Sequence, residues 1–202
     1  MESASTVPTM DLIALRTKRD RLQFAVGRNR SQKWCLRLWG KFIKARDGNR
    51  CVNCGTLTTI HAHHVVRQTL YPWGRYELGN GITLCDECHR KVHEQFNGRP
   101  DLQRPLGALG SDDQDEWAYL YGLLSDDAVA RRIDRDEFYY LGDFMLMFFI
   151  KCQGYEQLYE LVVQRKLTRI RFAHEIWKSM PEDFYANVIE HMLAPNSLEI
   201  NG

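Results

Sequence analysis

Cys51-Val-Asn-Cys54 and Cys85-Asp-Glu-Cys88-His89 are the two ends of the stretch that decides how this chain folds. Two cysteines three positions apart wrap a tight turn around one tetrahedral ion, and two such knuckles supply the four thiolates of a closed zinc site. Thirty residues separate the pairs, more than the gap of about 15–20 usual between zinc knuckles. Something further is therefore folded between them. That insert holds His61, His63 and His64 in the run HAHHVV, and Asn80 in LGNGITLC. With His89 and His93 just beyond, five of the chain's seven histidines fall between positions 61 and 93. A site closed by four thiolates needs none of them, so they point to separate chemistry.

Local patterns place these residues on elements. Leu57 to Val66 is rich in Thr, Ile and Val and reads as a strand, and Gly81 to Leu84 as its short partner in a ribbon. The intervening segment 67–79, with Tyr71, Pro72, Trp73 and Gly74, reads as a long loop of the kind that often carries function. Asp86 is a candidate N-cap for a helix ending at Gly98, with Pro100 beyond. On that helix His89 and His93 are four apart and share a face, the spacing two ligands of one ion require.

The order His64, Asn80, His89 between two CxxC pairs, introduced by RDGNRCVNCG, resembles the HNH endonuclease family over about Ala45 to Asn97. The resemblance implies a two-stranded ribbon and a helix around one catalytic divalent cation. It implies that His64 is the general base, that His63 holds the metal where many relatives have Asp, and that His89 and His93 are further ligands. Asn80 then pins the loop and orients the base, and His64, Asn80 and His89 form the catalytic set. Adjacent residues on a regular strand face opposite ways, so His63 and His64 acting on one phosphate further implies a bent or bulged strand end. Cutting a phosphodiester needs a base near neutral pKa and stabilisation of negative charge, which imidazole and a cation supply. Imidazole ligands favour Mn, Ni or Zn over oxygen-seeking Mg. Arg67 and Arg75 flank the loop as candidate phosphate contacts.

Outside this stretch the charge is segregated. Residues 1–50 carry a net +8, residues 51–100 a net +1 and residues 101–202 a net −8, so a polyanion is expected at the N-terminal half. Asp11 to Val26, ended by Gly27, and Ser31 to Arg46, with Ser31 as N-cap, read as helices. On the second, Trp34, Cys35, Leu38, Trp39 and Phe42 form an apolar stripe. Lys33, Arg37 and Lys41 repeat every fourth residue on another face, with no acid at i+4, and are candidate DNA phosphate contacts. Gly98 to Gly110 reads as a linker. Helices are expected over 113–124, 134–152, 155–164, 168–180 and 182–193, with an aromatic cluster from Phe138 to Phe149 in their core.

The expected fold class is α+β: a small zinc-stapled ββα-metal module over 45–98, preceded by a basic helical arm over 1–44 and followed, after a linker over 99–112, by an acidic all-helical domain over 113–202. The most apolar run, Phe144 to Ile150, is far short of the ~20 residues that cross a bilayer. Met1 to Met10 lacks the apolar run of a secretion signal, and Cys35 and Cys152 are expected as buried free thiols in a reducing compartment. That implies a cytoplasmic protein, and the family resemblance implies a bacterial or phage-infected host cell. The activity expected is metal-dependent DNA cleavage, as a nick or a double-strand break, with a structural Zn2+ and one catalytic Mn2+, Ni2+, Zn2+ or Mg2+. The alternative is a non-catalytic zinc-ribbon module that binds nucleic acid or protein. The acidic helices suit docking of a partner protein, self-association or a lid over the basic face.

Overall fold

The computed structural model describes residues 11–68, 71–93, 114–150 and 155–180. Two helices lead: α1 over Leu12–Gly27 and α2 over Gln32–Arg46. The Asp11 carboxylate accepts from Ala14 N at 3.0 Å and caps α1. Ser31 stands at the N-cap position of α2, yet its hydroxyl makes no cap bond. The two helices pack as a hairpin with Leu15, Leu22, Ala25, Cys35, Trp39, Phe42 and Ile43 buried.

A two-stranded antiparallel ribbon follows, with β1 over Ile60–His64 and β2 over Gly81–Cys85, pairing Ile60 with Cys85 and His64 with Gly81. Mixed helices around this small sheet make the molecule α+β. β1 is shorter than the 57–66 expected. Thr59 lies in the left-handed region at φ 48°, which ends the extended run on one side. On the other side Val66 pairs with the side chain of Asn80 and leaves the ladder. The expected loop contains a one-turn 3₁₀ helix over Pro72–Tyr76, begun by Pro72. α3 runs over Asp86–Val92, and its N-cap is Cys85, not Asp86: the Cys85 sulfur accepts from Cys88 N at 3.5 Å. Asp86 and Glu87 then occupy the first turn, where the helix dipole favours negative charge. The expected end of this helix near Gly98 lies outside the described residues.

The ribbon is covered on both faces. Ala62 lies 3.6 Å from where a Cβ on Gly40 would sit, and the Trp39 indole passes over Gly81, so α2 packs on the face of Ala62 and His64. α3 packs on the face of His61 and His63. All five residues of β2 are buried.

The remaining elements are helical: α4 over Gln114–Ala130, α5 over Arg135–Phe138, α6 over Asp143–Ile150, α7 over Glu156–Val163 and α8 over Arg169–Ser179. α4 runs past the expected end at Leu124. The single helix expected over 134–152 is two, because residues 139–142 turn their backbone toward the ribbon loop: Gly79 N donates to Tyr140 O at 2.8 Å and Gly142 N to the Glu77 carboxylate at 2.9 Å. α4 and α8 pack with Trp117 edge-on to Trp177 at 4.7 Å. The expected helix over 182–193 and Cys152 lie outside the described residues.

Contacts join the helices to the ribbon segment. Arg46 and Asp47 form a fully buried ion pair at 2.7 Å. The Arg46 guanidinium also donates to Leu78 O at 2.5 Å and Gly81 O at 2.6 Å, and lies 4.0 Å from the Tyr139 ring centre. Asp47 accepts from Thr83 N at 2.8 Å. Burial penalises the guanidinium, yet Asp47 beside it keeps it firmly charged. Arg50 pairs with Asp127 on α4, and Arg16 and Arg19 both pair with Glu137 on α5. One hydrophobic cluster runs from Leu15 to Met180 through all of these elements. Among the described residues no helix is long and apolar enough to cross a membrane.

Candidate functional site

The knuckles bring Cys51, Cys54, Cys85 and Cys88 together with their sulfurs all within 4.8 Å of one another. Cys54 and Cys85 sulfurs are 3.6 Å apart, close to the ~3.8 Å between thiolates that share a tetrahedral zinc at ~2.3 Å. The first turn closes through Gly55 N donating to Cys51 O at 2.9 Å, with Gly55 at φ 78°, a conformation that favours glycine. Asn53 Nδ2 sits 3.4 Å from the Cys88 sulfur as a donor. Burial and neighbouring thiols push Cys88 up to about 12, whereas at Cys51 burial is outweighed by hydrogen bonds from the Cys54 and Cys85 backbone, which bring it down to about 7. Four thiols so crowded hold one negative charge far more readily than four; a dication offsets the rest. The donor set therefore fits a structural Zn2+.

A second group lies on the α3 face. His63 from β1 meets His89 and the helix-ending His93, with ring centres 5.0 Å and 4.9 Å away and 4.7 Å between the latter two. One ring nitrogen of each lies within 4.8 Å of the others, so a modest turn of the rings brings them to the ~3.3 Å of imidazoles sharing a tetrahedral ion. Burial, then the neighbouring His93 and His89, holds His63 well below the usual imidazole range. Burial also lowers His89 and His93. All three are thereby kept neutral, the form that ligates a metal. They fit a divalent cation with a position left open.

His64 stands apart from that group. Pairing is regular to the end of β1, with no bulge, so His64 faces α2 while His63 faces α3. The implied strand distortion is absent because the ribbon ends there. Its ring stacks on Trp39 at 4.0 Å with planes 6° apart, and its Nε2 lies 2.9 Å from Arg75 O. A carbonyl only accepts, so Nε2 carries the proton and the neutral ring keeps its lone pair on Nδ1. Burial lowers the His64 pKa against the opposing pull of that hydrogen bond, and the nearby Arg75 cation lowers it further. The result is a neutral imidazole of fixed tautomer.

Asn80 secures the loop that supplies that carbonyl. Fully buried, its Oδ1 accepts from Val66 N at 2.8 Å, and its Nδ2 donates to Val66 O at 3.0 Å and Gly74 O at 3.1 Å. Gly74 precedes Arg75, so Asn80 is one peptide removed from the atom that orients His64. Arg75 lies near enough to His64, and Arg67 to His93, to depress each imidazole. Lys33, Arg37 and Lys41 are exposed on α2. His61 is exposed and bonded to Asp86 at 2.5 Å, outside the ligand group.

Sequence reasoning missed three supports. Trp39 reads as one more residue of an apolar stripe, but it is the platform of His64 and donates Nε1–H to Glu77 O at 3.1 Å. Asp47 reads as a turn residue, but with Arg46 it ties α2 to β2. Tyr121 on α4 reaches Asn80 Oδ1 at 3.5 Å. Only an uninterrupted RD before the first knuckle signals any of them. No curated protein and no solved structure matches the chain. Residues 51–95 do match the family model for the HNH endonuclease, so the similarity takes in both knuckles, the ribbon and α3 and stops there.

Proposed function

We propose that the protein is a metal-dependent DNA endonuclease in which His64 is the general base and His63, His89 and His93 hold one divalent cation. The observation that carries this reading is the division among the four imidazoles: three converge with ligand atoms within 4.8 Å, and the fourth is held by Arg75 O, its Nδ1 making no hydrogen bond among the described residues. His63 and His64 lie on opposite faces of β1, so acting on one phosphate requires that the phosphate lie across the end of the ribbon, where His64 ends the strand. His64 Nδ1 takes a proton from a water, whose oxygen attacks phosphorus as the bridging oxygen departs. The stacked Trp39 and the Arg75 carbonyl hold the ring in place while it becomes charged. Arg67 and Arg75 supply positive charge on either side of the phosphate. When bound, the cation polarises the phosphate and stabilises the departing oxygen.

The test is relaxation of supercoiled plasmid with a panel of divalent ions, which resolves nicked from linear product in one gel. Cleavage with Mn2+ or Ni2+ exceeding that with Mg2+ is expected from three nitrogen ligands. His64→Ala should lower the rate about 10²–10⁴-fold, the usual contribution of a general base, with bound zinc unchanged. Cleavage retained in that variant rejects the assignment. A wild-type protein that shifts DNA and cuts with no ion favours a binding module instead.

A further inference from the structure

The α1–α2 hairpin carries a groove of ≈ 1170 Å³ on its outer side, which the catalytic reading does not use. Arg21, Phe24, Arg30, Trp34, Arg37 and Lys41 line it. Two of these are large aromatic side chains left in solvent, Phe24 at 61 % and Trp34 at 45 % exposure. Each is paired with a guanidinium: Arg37 lies 4.0 Å from the Trp34 ring centre and Arg28 lies 5.5 Å from that of Phe24. The single lining carboxylate, Asp20, is taken by Arg19 at 2.8 Å. Among the described residues no carboxylate pairs with Arg21, Arg30, Arg37 or Lys41.

A row of unneutralised cations suits phosphates, and phosphates alone would need no rings. Exposed rings within a cationic channel suit bases whose faces are free, since base–aromatic stacking is indifferent to sequence while cations track the backbone. In duplex DNA each base face is covered by its neighbours, and a protein ring reaches only edges and sugars. We infer that this groove binds an unpaired strand of the DNA substrate, stacking a base on Trp34 or Phe24 while Arg21, Arg30, Arg37 and Lys41 hold its phosphates. The inference rests on the endonuclease reading for its substrate class and narrows that class to DNA with a single-stranded segment: a flap, a junction or an opened duplex.

The experiment uses the full, zinc-loaded chain carrying His64→Ala, without added divalent ion, and reads fluorescence anisotropy of a labelled single-stranded oligodeoxynucleotide and of the same strand in duplex. Trp34→Ala should weaken single-strand binding about 5- to 150-fold, the span of one base–aromatic stack, and duplex binding less than about twofold. Trp34→Phe should restore most of the loss, which an unfolded hairpin would not allow; circular dichroism checks the helices. Arg37→Ala with Lys41→Ala should weaken both and flatten the salt dependence by ~0.7 per lost phosphate contact on the single strand. Equal losses on single strand and duplex, no loss with Trp34→Ala, or equal competition by polyglutamate would each overturn the proposal. Since binding is read without cutting, a His64→Ala protein that still cleaves with metal rejects the base assignment and leaves the groove result standing.

Discussion

Cys51, Cys54, Cys85 and Cys88 approach from two knuckles and offer four ligands for one ion, whereas His63, His89 and His93 approach from one strand and one helix and offer three. The thiol set is tied into the backbone on every side: Cys85 caps α3, Cys51 closes a turn through Gly55, and Val52 N donates to Thr83 O in β2. The imidazoles hang from elements already fixed by other contacts. A closed set has no room for substrate and can only hold the fold; an open one contributes little to folding and leaves a position for chemistry. Two candidate ion sites on one ribbon would thus have separable consequences, and substitutions should pull them apart.

The largest effect is expected at the closed set. Structural zinc contributes about 10–16 kcal/mol in small zinc modules, more than most of the ~5–15 kcal/mol by which a whole domain is stable. Cys85→Ser, which removes a ligand while leaving a hydroxyl able to cap α3, should therefore abolish one equivalent of tightly bound zinc and the cooperative melting transition together. Metal analysis beside circular dichroism reads both. A folded, zinc-free Cys85→Ser protein would show that the knuckles do not staple the ribbon.

At the open set the losses should move to activity. His89→Ala removes a half-buried ring without touching the core, so melting should fall by no more than about 2 kcal/mol, while cleavage drops at least ~10²-fold through loss of the several kcal/mol a cation contributes. One equivalent of zinc should remain. Asn80 lies between these extremes. Asn80→Ala leaves the Val66 N–H and Val66 O without their side-chain partner, which costs about 2–4 kcal/mol, and it frees the loop that offers Arg75 O to His64. Both stability and rate should fall, with the rate falling further than the melting shift accounts for. His61→Ala is expected to do least. Its ring is 6.2 Å from His89 and, among the described residues, pairs with exposed Asp86, so rate and stability should change by less than about twofold and 1 kcal/mol.

The α+β class and the HNH-type segment were legible because they rest on spacing: CxxC pairs can be counted, and His89 and His93 at i and i+4 need no tertiary knowledge to share a face. Boundaries were less legible. Nothing in TTIH announces that Thr59 turns left-handed and trims β1, and the run from Asp134 to Cys152 has the composition of one helix. Its break at residues 139–142 is stabilised by backbone bonds to Gly79 and Glu77, more than sixty positions earlier, which no local pattern carries. The surroundings of His64 were hidden for the same reason. Burial marks Trp39 as core, but only the register that sets Gly81 opposite His64 makes room for an indole beneath the ring.

The buried guanidinium of Arg46 bears on how small a fragment of this chain can keep the site intact. It gathers Leu78 O, Gly81 O, Asp47 and the Tyr139 ring at one point, and both it and Trp39 precede the first knuckle. A fragment trimmed to the span recognised by family likeness would retain every candidate ligand and lose the clamp that keeps β2 seated and the surface on which His64 rests. Dissection of the chain therefore has its upstream limit before α2, and transplantation of the ribbon into another scaffold has to bring that helix with it.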